Sequence, residues 1–245
     1  MTGKNIAITE RDRAVLAEVN RFGMISREQL IRLKLFSSKT RANERLKGLT
    51  AAGYLHIRRQ PLALGGPRFV YLAGPTMASS IDARRRWTDV SDLFLAHQLG
   101  LVDIRLAFEQ HAALKQWWSE RELTAVALGL IPDAYLEYAV KDLTFCAFVE
   151  YDRGTETLGR FERKAKAYTD LAFSGKFERI LKRRFFRVFV ITDSAKRLTT
   201  LSTAIARTTN RIFWLTTLTE LSTLGPLASI WRKPGAGDSQ SLTVA

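Results

Sequence analysis

Apolar residues recur at helical spacing three times near the start of the chain. Ala14, Val15, Leu16, Val19 and Phe22 make the first stripe, with Thr9 as N-cap, Glu10 and Asp12 in the first turn and Gly23 as the stop. Leu30, Ile31 and Leu33 make the second, opened by Ser26 with Gln29 at capping-box spacing. Ala42, Leu46 and Leu49 make the third, in a helix that starts at Ser37 or Ser38, runs to about Ala52 and stops at Gly53. Two strand-patterned runs follow, Tyr54–Arg58 and Arg68–Leu72, joined through the turn chemistry of Gly65-Gly66-Pro67. Three helices and a hairpin in this order predict an α+β winged helix-turn-helix over residues 1–74, ending at Gly74-Pro75.

Val90 to Trp118 reads as one long helical stretch, carrying Leu93, Phe94, His97, Leu101, Ile104, Leu106 and Phe108. It predicts a helical connector over 75–119 with an apolar face for the second domain or for a second copy of the chain. Beyond it, strand patterns (Leu143–Val149, Phe185–Ile191, Ile212–Leu215) alternate with helical ones (Leu158–Phe173, Ser194–Arg211). That alternation predicts an α/β domain over 120–232 with some parallel pairing. Residues 233–245, with Pro234, Gly235, Gly237 and two serines, read as a loose tail.

Charge narrows the partner. The 245 residues carry a net charge of +14, and up to Gly74 there are 14 Lys and Arg against 5 Asp and Glu. Such an excess favours a polyanion, nucleic acid before a membrane surface. With Ala42, Leu46 and Leu49 inward, the opposite face of the third helix offers Lys39, Thr40, Arg41, Asn43, Glu44 and Lys47. Arg and Asn suit bidentate contacts to guanine and adenine, and Ser37, Ser38 and the helix N-terminus suit phosphate. Arg58, Arg59 and Arg68 flank the hairpin, where a wing meets the DNA backbone. The expected partner is double-stranded DNA, bound through Ser38, Lys39, Thr40, Arg41, Asn43, Lys47, Arg58, Arg59 and Arg68.

Ile131-Pro132-Asp133, the strand Leu143–Val149 and Glu150-Tyr151-Asp152 then resemble the PD-(D/E)XK nuclease superfamily. The resemblance implies that Asp133, Glu150 and Asp152 hold a divalent cation such as Mg²⁺, which would activate water and stabilise developing phosphate charge. Glu150 and Asp152, two apart, share a strand face. The superfamily pattern places a lysine two residues after the Glu, where this chain has Asp152. Lys164, one helical turn before Tyr168, is the candidate to replace that catalytic lysine, and Glu109 a conceivable further acid. Taken together, the N-terminal helices, Pro132-Asp133, Glu150-Tyr151-Asp152-Arg153-Gly154-Thr155-Glu156 and the Lys164/Tyr168 pair resemble the replication-relaxation family of bacterial plasmids and mobile elements, over roughly Thr9 to Leu215. This implies DNA binding linked to replication, relaxation or mobilisation.

Other features change little. His56, His97 and His111 lack metal-ligand spacing, and the single Cys146 sits in an apolar run as an inert core residue. Trp87, Trp117 and Trp118 read as buried aromatics before base-stacking ones. Lys182-Arg183-Arg184 and Arg187 read equally as DNA surface or as a solvated approach to a strand. No apolar run reaches the ~20 residues of a membrane helix and no secretion signal opens the chain, so a cytoplasmic protein without a membrane partner is expected. The expected function is that of a double-stranded DNA-binding accessory or regulatory protein, with the nuclease-like domain as scaffold, no certain cofactor and a homodimeric assembly. The alternatives are a Mg²⁺-dependent endonuclease or nickase, and an adaptor whose winged helix docks a replication or conjugation protein.

Overall fold

Local cap chemistry sets the first helices. In the computed structural model, which describes residues 6–62, 66–78, 90–111 and 113–242, Thr9 and Asp12 form a capping box at the start of α1 (Glu10–Phe22). Gly23, at φ 74°, leads into a short strand β1 (Met24–Ser26). Ser26 and Gln29 form the next capping box, at α2 (Arg27–Arg32), and Ser38 caps α3 (Lys39–Ala51). β2 (Leu55–Gln60) and β3 (Arg68–Ala73) pair as an antiparallel hairpin, and β1 adds to β3, giving the order β1-β3-β2. Gly74 is required where β3 ends, because a Cβ there would stand 2.3 Å from the Gly53 carbonyl oxygen. α4 (Pro75–Ala78) and α5 (Asp92–His111) follow.

The chain divides into two compact units, Met1–Val102 and Asp103–Ala245. In the first, Val15, Val19, Leu30, Ala42, Leu46 and Leu49 are fully buried, and Met24, Val70 and Leu72 pack with Leu95 and Leu99 of α5. Gln29 ties α2 to α5 by donating to the Leu99 carbonyl at 2.9 Å.

The second unit holds a seven-stranded sheet of order β10-β9-β8-β7-β6-β5-β4. β4 (Ala113–Ser119), α6 (Glu120–Thr124), β5 (Ala134–Val140) and β6 (Leu143–Asp152) come first; β4, β5 and β6 are antiparallel neighbours. α7 (Leu158–Phe173) and α8 (Lys176–Leu181) cross to β7 (Arg187–Thr192), and α9 (Ala195–Ala206) crosses to β8 (Phe213–Thr217). Strands β6, β7 and β8 are parallel, which crossovers of this length permit. α10 (Leu218–Leu224), β9 (Trp231–Arg232) and β10 (Ser239–Gln240) complete the sheet antiparallel. Cys146, Phe148, Val188, Val190, Phe213 and Leu215 pack one sheet face against α7, α8 and α9. On the other face Phe189 stacks on Phe108 and Trp231.

Two expectations are corrected. The helix expected to reach Trp118 ends at His111, and Trp117 and Trp118 lie on β4, opposite Leu136 and Tyr135. Aromatic residues suit a paired strand, and the ladder to β5 overrides the helical pattern. The tail from Lys233 is packed as far as Leu242: β10 pairs with β9, Gly235 donates to Ser202 at 3.0 Å, and Leu242 is fully buried with its carbonyl bonded to Arg187. Along α5, Leu99, Ile104, Leu106 and Phe108 are buried within the chain, whereas Leu93 stays exposed. Trp87 lies outside the described residues. Among the described residues no helix is long and apolar enough to cross a membrane.

Candidate functional site

The first unit presents a basic face. Helical periodicity buries Ala42, Leu46 and Leu49, which turns Lys39, Thr40, Arg41, Asn43 and Lys47 to solvent, with Ser38 exposed at the cap. Arg45, on the flank between these faces, reaches back to the buried Asp12 of α1 and locks the two helices together. Burial alone would raise the Asp12 carboxyl, but hydrogen bonds from Arg45 and Thr9 outweigh it and hold it at about 2.

Strand alternation separates the hairpin arginines. Arg59 lies opposite Phe69 in the β2–β3 register and its guanidinium covers the Phe69 ring at 5.9 Å. Arg27, which sequence reasoning missed, covers the same ring at 5.4 Å and donates to Asn43 Oδ1 at 2.8 Å. A continuous path Asn43–Arg27–Phe69–Arg59 thus joins α3 to the hairpin. It occupies the Asn43 carbonyl oxygen, one of the two atoms an adenine contact needs. Arg58 points the other way, bonding the Val90 carbonyl and Asp92 at the start of α5. Its guanidinium is thereby committed within the unit. Arg68 opens β3 opposite Gln60.

In the second unit the alternation of β6 sets the chemistry. Cys146 and Phe148 face α7 in the core, so Glu150 and Asp152, on the same strand face, also lie under helices. Ala134 pairs with Val149, which puts Asp133 opposite Glu150 across the β5–β6 ladder. Glu150 is nearly fully buried; its Oε1 accepts from the Tyr168 hydroxyl at 2.6 Å and its Oε2 from Lys164 Nζ at 2.7 Å. Lys164 also donates to Glu156 Oε1 at 3.0 Å. Asp133 Oδ2 accepts the Tyr151 amide at 2.8 Å. Burial, then the negative charge of Asp133, pushes Glu150 up to about 7 despite Lys164 and Tyr168. Burial would lower the Lys164 ammonium, but Glu150 and Asp133 outweigh it and raise it.

Asp152 leaves this group. Its Oδ1 accepts the Gly154 amide at 2.7 Å and its Oδ2 accepts Arg197 Nε at 2.7 Å, while Arg197 also bonds the Glu156 carbonyl at 2.5 Å. The carboxylate is a clamp between β6, the following loop and α9. Arg197 escaped sequence reasoning, although a cation in the first turn of α9 opposes the helix dipole and so signals another duty. Glu109 is likewise separate, accepting from Arg105 on its own helix at 2.8 Å.

In this structure the carboxylates that the resemblance implies as cation ligands are committed to protein partners. Both Glu150 oxygens and both Asp152 oxygens are engaged by Tyr168, Lys164, Gly154 and Arg197. Among the described residues no three His, Cys, Asp or Glu side chains stand together as a metal site requires. Among the described residues of this unit one buried side-chain oxygen, Oε2 of Glu156, lacks a hydrogen-bond partner, but a single oxygen does not make such a site. The positive charge beside Glu150 is that of Lys164.

No curated protein matches the chain. Among solved structures it is similar to the restriction endonuclease FokI, with a TM-score of 0.34 and 14% identity, and to FokI bound to DNA, with a TM-score of 0.30 and 12% identity. In both cases 91% of this chain is covered and the match spans 45% of the FokI chain. The replication-relaxation family model matches residues 16–183, more than half of the sequence, and the chain belongs to the replication-relaxation family.

Proposed function

We propose that this chain is a double-stranded DNA-binding accessory or regulatory protein of plasmid or mobile-element replication, relaxation or mobilisation. Its first unit acts as a winged helix-turn-helix: α3 enters the major groove and the β2–β3 hairpin meets the backbone beside it. The observation that carries this reading is the exposed face of α3, where Ser38, Lys39, Thr40, Arg41, Asn43 and Lys47 stand clear of the core. The second unit serves as a nuclease-like α/β scaffold, its carboxylates neutralised by Lys164 and Arg197. An electrophoretic shift of the full chain with random-sequence duplex tests the reading, and retardation that weakens steeply with salt is expected.

One observation favours a second reading, that of a nickase. Lys164, displaced from strand to helix, reaches the same carboxylate that a strand lysine would flank, and Asp133 stands opposite. Supercoiled plasmid incubated with the protein and Mg²⁺ or Mn²⁺ separates the two. Persistence of the supercoiled form supports the scaffold reading. Nicking abolished by Asp133→Ala and Glu150→Ala would replace it.

A further inference from the structure

Where β7 begins, the chain reads Lys182-Arg183-Arg184-Phe185-Phe186-Arg187, four cations and no acid in six residues. Phe186 turns inward onto Phe177, with ring centroids 4.6 Å apart. Phe185 turns outward and is 75% exposed, with the Arg184 guanidinium over its ring at 5.3 Å. Its placement is firm, because the Phe185 carbonyl accepts from Cys146 Sγ at 3.2 Å and its neighbour is anchored in the core. Leaving so large an apolar ring in water forfeits about 25 cal/mol for each Å² not buried, so packing does not explain it.

The cations around it are unevenly used. Arg183 is held by Glu137 through two bonds of 3.0 and 2.8 Å and positions the segment. Arg187 lies between the rings of Phe145 and Trp214, at 4.6 and 4.7 Å, and Lys233 Nζ stands 3.8 Å from the Trp214 centroid. Among the described residues none of Lys182, Arg184, Arg187 and Lys233 is ion-paired with a carboxylate; Arg187 and Lys233 bond only neutral oxygens, of Tyr138, Leu242 and Arg211. Burial and the Arg187 charge hold the Lys233 ammonium down to about 8. A bound anion would relieve that repulsion.

We propose that this end of the second unit's sheet binds single-stranded nucleic acid, Phe185 stacking on a base while Lys182, Arg184, Arg187 and Lys233 meet the backbone phosphates. In a duplex the base faces are stacked on one another, so an exposed ring reaches one only at the cost of unstacking a step, whereas an unpaired base offers its face directly. The surface is independent of α3, and the two can fail separately.

Fluorescence anisotropy of the full chain with labelled oligo(dT) and with labelled duplex tests it. Phe185→Ala is expected to weaken oligo(dT) binding about tenfold and leave duplex binding unchanged. Lys182→Ala combined with Arg184→Ala should weaken oligo(dT) binding and lower its salt slope by about 0.7 per cation removed. All three side chains are exposed, so unchanged thermal melts are expected to exclude misfolding. The proposal is overturned if the wild-type chain does not bind oligo(dT), or if Phe185→Ala binds it as tightly as wild type. Equal losses on duplex and oligo(dT) would overturn it too, by reducing the surface to a phosphate contact.

Discussion

Lys164 of α7 places its ammonium 2.7 Å from Oε2 of the buried Glu150 and 3.0 Å from Oε1 of Glu156, bridging two carboxylates that flank the end of β6. Asp133, opposite Glu150 in the sheet, adds a third negative charge. Replacing Lys164 by Met should therefore destabilise the fold, and increasingly so as pH rises above 7, where Glu150 is ionised and loses its partner. Adding Glu150→Gln should recover much of that loss. Urea unfolding of both variants measures it, and a Lys164→Met chain as stable as wild type would show that the bridge holds nothing together.

The same pair makes stability depend on pH in a defined direction. Glu150 titrates near 7 in the fold, above its ordinary value of 4.5, so between those values the folded chain binds more protons than the unfolded one. Its contribution is greatest below pH 4.5 and declines as pH rises through 7. Asp12 has the opposite sign: held at about 2, it stabilises fully above pH 4 and loses that contribution as pH falls toward 2. Thermal melts across this range should show Glu150→Gln flattening the slope between pH 5 and 7, and Asp12→Asn flattening it only below pH 4.

Asp152 and Arg197 should behave as a structural clamp. Arg197→Ala is expected to cost about 3 kcal/mol and to speed hydrogen exchange at the Gly154 amide, which the same carboxylate holds. In a double-mutant cycle with Asp152→Asn the coupling should exceed about 1 kcal/mol. Additive losses would remove the clamp.

Cap chemistry made the first three helices legible from sequence, since Thr9, Ser26 and Ser38 bond residues only three positions away. β1 was not, because three residues carry no period. β4 was misread because Leu114, Trp117 and Trp118 also fit a continuing helix, and only β5, paired across the sheet, decides between the two. For the candidate residues, spacing placed Glu150 and Asp152 on one face but could not say that Arg197 would claim the second. Arg58 and Arg59 looked equivalent until strand alternation sent one to Asp92 and the other to Phe69. Arg27 was invisible because its partners, Asn43 and Phe69, are brought to it only by tertiary packing.

Two exposed residues of α3 should differ in kind. Arg41→Ala is expected to cost about 1–3 kcal/mol at a preferred duplex site and to relax base preference there. Lys47→Ala should weaken all duplex sequences alike and reduce the salt slope by about 1. Selection of binding sites from a random duplex pool, repeated with each variant, distinguishes a base contact from a phosphate contact.

The central claim, that the first unit carries the affinity for duplex DNA, rests on one face of one helix. Its most direct test is duplex binding by the full chain with Lys39, Arg41, Asn43 and Lys47 all replaced by alanine. These side chains are exposed and the buried face of Ala42, Leu46 and Leu49 is untouched, so the fold should persist. Loss of nearly all duplex affinity with an unchanged melting temperature is the predicted result. Wild-type affinity in the quadruple variant would contradict the account.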